Sequence, residues 1–359
     1  MPLTPLLALA VLHTGAPAQS SLDVLPGRPQ PDLQWTLVLG GDVMLNGIPP
    51  QAQPLEGLAE VLGAADFAFA NLEIPLTDSR AATRRKTPAE LRTRSQFILK
   101  AHPDHAPHLA DVGIDAVSLA NNHAMDYGAG GLEQTRSLLS ERGIVHAGAG
   151  SDWREATLPA IVERHGVRIA LVSYLAFIGA EALRKCTPAT DVEPGIAVLS
   201  FGGRIGPEQR KILTSIVQRA RSEADLVVVA LHWGIEKQRV PTSYQVALAR
   251  AFVDAGADVV WGHHPHVLQG WERQGDGVIF YSLGNLISPM PAVTGLFRLT
   301  YRGKELVDVM FIPAQISGGR TRLLEDGSAE REVARMIGLN EQLTRRFSRR
   351  STNGARAPG

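Results

Sequence analysis

The chain has 359 residues and no net charge at neutral pH, because 36 lysines and arginines balance 36 aspartates and glutamates. With 44% hydrophobic and 20% charged residues, it has the composition of a globular protein, which excludes a disordered or fibrous one. A zero net charge gives no overall attraction to nucleic acid, so no nucleic-acid partner is expected. The single cysteine, Cys186, excludes an internal disulfide and a zinc ribbon, so any metal must be bound by nitrogen and oxygen atoms.

The first residues have features of an export signal. Residues 3–12 form an apolar run, and Ala16-Pro17-Ala18 places small residues where a signal peptidase cuts. The run is shorter than the roughly 20 residues that span a bilayer. No lysine or arginine precedes it, and a disordered apolar start is the alternative. We predict a signal peptide over residues 1–18, a linker over residues 19–34, and an exported protein in the periplasm or at the cell surface.

From residue 35 onward, apolar runs typical of strands alternate with segments of helical periodicity. Strands are predicted over residues 35–39, 67–70, 114–119, 160–163, 167–173, 226–231, 257–261, 278–283, 295–301 and 305–312. Helices are predicted over residues 53–63, 103–113, 130–142, 207–222 and 244–254. This alternation predicts one α/β domain over residues 35–325.

The C-terminal residues are predicted to form a separate helix and a tail. A helix over residues 326–344 is expected to be capped by Ser328. Its apolar stripe is expected to contain Val333, Ile337, Asn340 and Leu343. Residues 345–359 contain five arginines and no acid, which predicts a disordered basic tail.

Successive predicted strands end in polar residues that can bind metal. These residues are Asp42, Glu73, Asn122, His232, His264 and His266. Because strand–helix alternation implies largely parallel strands, we expect these side chains to gather along one sheet edge. Each of them alone could be an ordinary turn residue.

The last of these strand ends is Gly262-His263-His264-Pro265-His266. Three imidazoles in four positions are hard to explain by packing, because histidine fills apolar cores poorly. Pro265 disfavours helix at His264, so we expect an extended loop with His264 and His266 on the same side. Histidines that simply point into solvent are the alternative.

As a set, the motifs resemble the CapA family of bacterial capsule and poly-γ-glutamate synthesis proteins, a branch of the calcineurin-like metallophosphoesterases. The matching segments are Gly41-Asp42-Val43-Met44-Leu45, Asn71-Leu72-Glu73, Leu119-Ala120-Asn121-Asn122-His123-Ala124-Met125-Asp126-Tyr127-Gly128, His232-Trp233-Gly234-Ile235-Glu236, Gly262 to His266, and Tyr281-Ser282-Leu283-Gly284-Asn285. The resemblance covers about residues 35–287. It implies an α/β fold, a four-layer αββα sandwich of the metallo-dependent phosphatase type with its site at the strand ends.

The resemblance also implies two divalent metal ions. One ion would contact Asp42, Glu73 and His266, and the other Glu73, Asn122, His232 and His264. Oxygen and imidazole ligands without thiolate favour Mn, Fe or Zn, and two such ions can clamp a phosphoryl group and activate water. His123 follows a predicted ligand directly and would act as general acid. The superfamily usually carries a histidine where this chain has Met44, which predicts a weaker or water-rich position for one metal.

Several other polar residues could have a functional or a structural role. Asp126 could orient His123 or cap the following helix. Glu236 could line a pocket, and Asn285 could contact substrate or form a turn. His263 is expected to point away from the metals.

Two further groups of charged or titratable residues lie outside the strand ends. The basic run Arg84 to Arg94 could hold an anionic polymer or phosphate, or be a solvated face. His102, His105 and His108 are expected to be exposed.

Two functional hypotheses follow. The first is an exported metal-dependent hydrolase, phosphoesterase-like, that takes part in capsule or poly-γ-glutamate biosynthesis and acts on an anionic polymer or phosphate ester. The second is a non-hydrolytic polymer-binding or assembly component of a membrane synthase complex. Retention of every ligand type except the residue replaced by Met44 favours the enzyme, whereas a low metal content in the purified protein would favour the second hypothesis.

Overall fold

The structure is a computed structural model that describes residues 32–177, 179 and 183–348. Its strands are β1 Gln34–Val43, β2 Phe67–Leu72, β3 Ala116–Ser118, β4 Val145–Ala147, β5 Ala149–Gly150, β6 Ala160–Arg164, β7 Val167–Leu175, β8 Gly195–Ile196, β9 Leu226–His232, β10 Val259–His263, β11 Trp271–Gln274, β12 Gly277–Phe280, β13 Asn285–Ile287, β14 Ala292–Arg302, β15 Glu305–Ser317 and β16 Arg320–Leu323. The predicted signal peptide, nearly all of the predicted linker and the tail beyond residue 348 lie outside the described residues.

The helices of the described part are mostly short. They are α1 Ala59–Gly63, α2 Pro88–Arg92, α3 His105–Asp111, α4 Gly128–Glu141, α5 Trp153–Ala156, α6 Pro207–Arg221, α7 Ser243–Asp254 and α8 Asp326–Phe347, with a 3-10 turn at Pro50–Ala52. The helix predicted over residues 53–63 is shorter than expected, because Gln53 has a left-handed backbone (φ 46°) and ends the preceding turn. Within the described ranges, no helix has the length and hydropathy needed to cross a bilayer.

Two mixed sheets contain almost all the strands. The first has the order β16-β15-β14-β1-β2-β3-β4, with β13 also paired to β1, and β1, β2, β3 and β4 run parallel. The second has the order β11-β12-β10-β9-β7-β6, and β7, β9, β10 and β12 run parallel. In each sheet, therefore, the carboxyl ends of the central strands lie at one edge.

The sheets pack face to face between two layers of helices. Alternate residues of a strand point to opposite faces, so Leu37 and Leu39 of β1 enter the core between the sheets, together with Trp261 of β10. Val38 points the other way and packs with residues of α3 and α4. On the far side, Val229 of β9 packs with residues of α6 and α7. The predicted four-layer αββα sandwich is confirmed.

The C-terminal helix differs from its prediction in register and capping. Ser328 is not the cap: Glu325 precedes the helix, and the Ser328 hydroxyl donates to its carbonyl. The buried face contains Met336, Leu339 and Leu343, whereas Ile337 is 55% exposed. The sequence pattern alone could not choose between two overlapping apolar stripes. Docking of the helix against β15 of the first sheet and β11 of the second selects the stripe that is buried.

His105 and His108 are buried, although the sequence suggested that they would be exposed. His105 Nε2 lies 2.9 Å from the carbonyl oxygen of Ile48, and His108 Nε2 accepts a hydrogen bond from the backbone N–H of Leu55 at 3.1 Å. Both imidazoles thus satisfy backbone groups of the segment that crosses α3. Burial lowers the pKa of both side chains from its ordinary value.

We expect the protein to lose stability on acidification partly through His108. Because its folded pKa lies below the unfolded value of about 6.5, the unfolded chain binds more protons, and the free energy of unfolding falls as the pH drops below about 6.5. Glutamine can accept the Leu55 hydrogen bond without titrating. His108→Gln should therefore show a smaller loss between pH 7 and pH 5 in urea unfolding, while His102→Gln, at an exposed position, should match the unmodified protein. Equal losses in all three would contradict this reading.

Candidate metal centre

The predicted metal-binding residues come together where the two sheets meet. Asp42, Glu73 and Asn122 lie at or just beyond the carboxyl ends of β1, β2 and β3 in the first sheet. His232, His264 and His266 lie at or just beyond the ends of β9 and β10 in the second sheet. The expectation of one sheet edge is wrong: the oxygen donors come from one sheet and the imidazoles from the other.

Two glycines allow the backbones beside these donors to approach closely. A Cβ atom on Gly41 would lie 2.1 Å from the carbonyl oxygen of Gly284, and one on Gly262 would lie 2.1 Å from that of Tyr281. The Trp261 indole N–H donates to the carbonyl oxygen of Gly40 at 2.9 Å and so joins the two sheets beside the site. These contacts fix Asp42 relative to the histidine loop.

The histidine loop is not extended as predicted. His264 and His266 both have a left-handed backbone, with φ 93° and φ 55°. Such conformations cost about 1–3 kcal/mol each in non-glycine residues and persist only where surrounding contacts hold them. The contacts here include a hydrogen bond from the His264 backbone N–H to Asp42 Oδ2 (3.2 Å) and one from the Lys237 N–H to the Pro265 carbonyl oxygen (2.8 Å).

Asp42 is buried and fully hydrogen-bonded. Its Oδ1 accepts from Asn71 Nδ2 at 2.9 Å and lies 3.0 Å from His263 Nδ1, while its Oδ2 lies 3.2 Å from His266 Nδ1. Burial opposes ionisation, but the hydrogen bonds from His263 and His266 outweigh it and hold the pKa of Asp42 well below its usual range. His263 is a hydrogen-bonded structural histidine that supports Asp42. Asn71 supports Asp42 as well, a role that the sequence did not reveal.

Glu73 is buried and its carboxylate is unsatisfied. Neither of its side-chain oxygens has a hydrogen-bond partner among the described residues, and its Oε1 lies 3.5 Å from His266 Nε2 and 3.7 Å from His232 Nε2. Burial raises the pKa of this carboxyl well above its ordinary value. Burying a carboxylate without hydrogen bonds is costly, and a metal ion would relieve that cost. The donor set therefore fits a cation at this point.

Two groups of side chains could each hold an ion, and they share Glu73. One contains Glu73, His264 and His266, and the other contains Asp42, Glu73 and His232; in each, ligand atoms lie within 4.8 Å of one another. Asn122 lies next to the second group, because its Oδ1 is 2.8 Å from His232 Nε2. The shared carboxylate matches what the family resemblance implies, but the grouping differs from the predicted one, because His264 lies with His266 and Asp42 with His232.

The protonation of the three imidazoles differs. Burial, followed by the neighbouring histidines, lowers the pKa of His232 well below its ordinary value and that of His264 to about 3, so both rings are neutral and can donate lone pairs. For His266, burial is outweighed by Glu73 and Asp42, which raise its pKa to about 10. Its Nδ1 lies 2.8 Å from Asn285 Oδ1, so Asn285 orients this ring.

His123 lies beside these donors, and its ring is held by Asp126. Its Nδ1 is 2.7 Å from Asp126 Oδ2, which makes Asp126 an orienting partner. Burial lowers the pKa of His123, and Lys86 lowers it further, while Asp126 opposes both. Lys86 Nζ is buried 3.1 Å from His123 Nδ1, so this member of the basic run does not belong to a solvated face.

The turn that carries Asn122 and His123 is shaped by Asn121. Its Oδ1 accepts from the backbone N–H groups of His123 (3.1 Å) and Ala124 (2.8 Å), and its Nδ2 donates to the carbonyl oxygen of Leu72 at 2.8 Å. This turn is therefore attached to the end of β2, next to Glu73.

A pocket of about 320 Å³ opens onto the same residues. Asn122 and His264 form its inner wall, and the exposed Glu236 lies at its mouth. Phe177 also lines the pocket, with its ring 4.6 Å from that of His264. A small molecule in this pocket would therefore contact candidate metal ligands.

This combination of fold and site defines a protein with a fold of the metallo-dependent phosphatase type: a four-layer α/β sandwich whose carboxylates and imidazoles converge at the strand ends. Residues 36–290 match the family described as "Bacterial capsule synthesis protein PGA_cap". The match spans well over half of the chain, and the protein belongs to this family.

Curated relatives carry the same association with capsule synthesis. The chain is 27% identical over 348 residues to the capsule biosynthesis protein CapA of Bacillus anthracis, covering 93% of this chain and 80% of that one. It is 32% identical over 228 residues to the PGA biosynthesis protein CapA of Bacillus subtilis, covering 63% and 54%. Among solved structures, a novel phosphatase from Mycoplasma pneumoniae aligns over 83% of this chain and 97% of that chain, with a TM-score of 0.49 and 13% identity.

Proposed function

We propose that this protein is an exported metal-dependent hydrolase that cleaves phosphate esters during capsule or poly-γ-glutamate synthesis. The observation that carries the proposal is Glu73, a buried carboxylate without a hydrogen-bond partner between Asp42 and three imidazoles. A folded protein keeps so costly an arrangement when a bound ion compensates it.

The residues present would hold two divalent ions that share Glu73. Following the family pattern, Asp42 and His266 would complete one position, and Asn122, His232 and His264 the other. Nitrogen and oxygen donors favour Mn, Fe or Zn. When bound, such ions neutralise phosphoryl oxygens and activate water.

His123 is proposed to donate a proton to the oxygen of the leaving group. Its Nδ1 donates to Asp126, so Nε2 is the nitrogen that would take up a second proton and pass it to the leaving oxygen. Burial and the Lys86 ammonium lower the pKa of His123, so the charged ring is the minority form at neutral pH and gives up its Nε2 proton readily. The pocket beside Asn122 and His264 would receive the ester, and Glu236 and Asn285 are proposed to contact or orient groups around it.

Purification without chelator tests the proposal directly. The protein should contain divalent metal and should hydrolyse phosphate mono- or diesters with at least one of Mn, Fe or Zn. His264→Ala should lower metal occupancy sharply, whereas His102→Ala, at an exposed position, should not. Protein that binds none of these metals and cleaves no ester would contradict the proposal. That result would favour the alternative function, a polymer-binding component of a membrane synthase complex. The replacement of the family histidine by Met44 also supports this alternative.

Export is proposed from the apolar run at residues 3–12 and the small residues Ala16-Pro17-Ala18. Protein isolated from the native host should have lost its first 18 residues and begin near Gln19. Intact-mass analysis measures this directly. A cytosolic chain that still begins at Met1 would contradict both export and cleavage.

A further inference from the structure

Lys86 differs from the arginines of the surrounding basic run. Arg84, Arg85, Arg92 and Arg94 are exposed, whereas Lys86 is 2% exposed. Its Nζ donates to the carbonyl oxygens of Phe97 (2.8 Å) and Asn122 (3.4 Å) and forms an ion pair with Asp126 Oδ1. An ammonium group is stable in the interior only with such partners, so this side chain has a specific role there.

The position of the His123 proton follows from these contacts. His123 Nδ1 lies between two groups of opposite charge, 2.7 Å from Asp126 Oδ2 and 3.1 Å from Lys86 Nζ. The three hydrogens of the ammonium group are matched by Phe97, Asn122 and Asp126, so Lys86 need not donate to the ring. Asp126 Oδ2 accepts from the ring and from the backbone N–H of Leu99 at 2.7 Å. Nδ1 therefore carries the proton and donates it to Asp126.

We propose that Lys86 is a positioning residue that determines which ring nitrogen of His123 carries the proton. By neutralising Asp126, Lys86 holds its carboxylate in place as the acceptor for Nδ1–H. The opposite nitrogen, Nε2, is then the one left to exchange a proton with a substrate. The importance of this for catalysis rests on the proposed role of His123, but the tautomer itself does not.

A simpler role for Lys86 would be to fasten the basic run to the fold. Lys100 provides the matched control, because its Nζ donates to the carbonyl oxygen of Ser79 at 2.6 Å and lies over the Tyr127 ring at 4.6 Å. It fastens the chain at Ser79, five residues before the basic run, and its contacts with Ser79 and Tyr127 do not involve Asp126 or His123. Loss of Lys100 should therefore loosen the segment and leave the His123 ring unchanged.

The test is ¹⁵N NMR of histidine-labelled, metal-free protein at one fixed pH. We expect the His123 signals of the unmodified protein and of Lys100→Met to show a neutral ring with its proton on Nδ1. Lys86→Met should change how the proton is shared between Nδ1 and Nε2 of His123, and Asp126→Asn should abolish the preference for Nδ1. Because Lys86 acts through Asp126, the double variant Lys86→Met/Asp126→Asn should match Asp126→Asn alone. The double variant also removes both charges of the pair, so it serves if Lys86→Met does not fold.

In metal-loaded protein, Lys86→Met should lower kcat by roughly 10–100-fold with little change in KM, as loss of an orienting partner does. An unchanged His123 tautomer in Lys86→Met would overturn the inference, as would a double variant whose spectrum departs from that of Asp126→Asn. If no ester is cleaved by any form, the proposed function fails, while the NMR result still decides the role of Lys86.

Discussion

Replacing Glu73 with glutamine should abolish metal binding and make the metal-free protein more stable. Neither oxygen of this buried carboxylate has a hydrogen-bond partner among the described residues, and burial raises the pKa of the carboxyl. Glutamine keeps the shape but removes the acidic group whose desolvation is costly. The free energy of unfolding of chelator-treated protein should rise at neutral pH, because a carboxyl whose pKa is raised by folding opposes folding wherever the unfolded chain ionises it. Metal analysis and denaturant unfolding measure the two effects.

Glu90→Gln is the matched control for this substitution. Hydrogen bonds from Thr87 lower the pKa of Glu90 to about 2, so its charged form is favoured by the fold. Its replacement should weaken the capping box of α2, lower stability slightly and leave metal content unchanged. A Glu73→Gln variant that retains metal, or that loses stability in the metal-free state as Glu90→Gln does, would show that Glu73 is not a ligand.

Replacing His123 with alanine should lower kcat by about 10²–10⁴-fold for an ester with a poor leaving group, which is the usual contribution of a general acid. An activated aryl ester should lose less, because its leaving oxygen scarcely needs a proton. Metal content should stay nearly unchanged, since His123 lies beside Asn122 without being a predicted ligand. Steady-state kinetics with an alkyl and an aryl phosphate, together with metal analysis, measure all three effects.

The leaving-group comparison is the informative part of that experiment. Equal losses for both esters would show that His123 does not protonate the leaving oxygen. Loss of metal together with activity would make His123 a ligand or a structural support. Either result would leave the Glu73 experiment unaffected, because the two substitutions remove different contacts.

The sequence was sufficient for the fold because its patterns are local. The continuous apolar runs at β9 and β10, and the His165-Gly166 turn between β6 and β7, can be recognised from neighbouring residues alone. Both turn residues have a left-handed backbone, φ 53° and φ 75°, as a tight hairpin requires. The polar residue after each apolar run identified the strand ends, and the family motifs linked them into one site.

Residues whose roles depend on distant partners were missed or misread. Nothing near Lys86 in the sequence separates it from the exposed arginines, since its partner Asp126 is forty positions away. His263 reaches Asp42 only because two sheets pack together. His105 and His108 are buried by the segment that crosses α3. Composition and spacing contain no information about such contacts.

The division of donors between the sheets has a consequence for the order of assembly. Each sheet alone carries an incomplete set, carboxylates and an amide on one and imidazoles on the other, so neither half would capture an ion tightly. Metal loading must follow docking of the two sheets, and a nascent or partly folded chain would have no competent centre. Once bound, the ions would cross-link the two sheets, which are otherwise held together beside the site mainly by side-chain packing. Removing the ions should therefore loosen the donor-bearing end of the sandwich first.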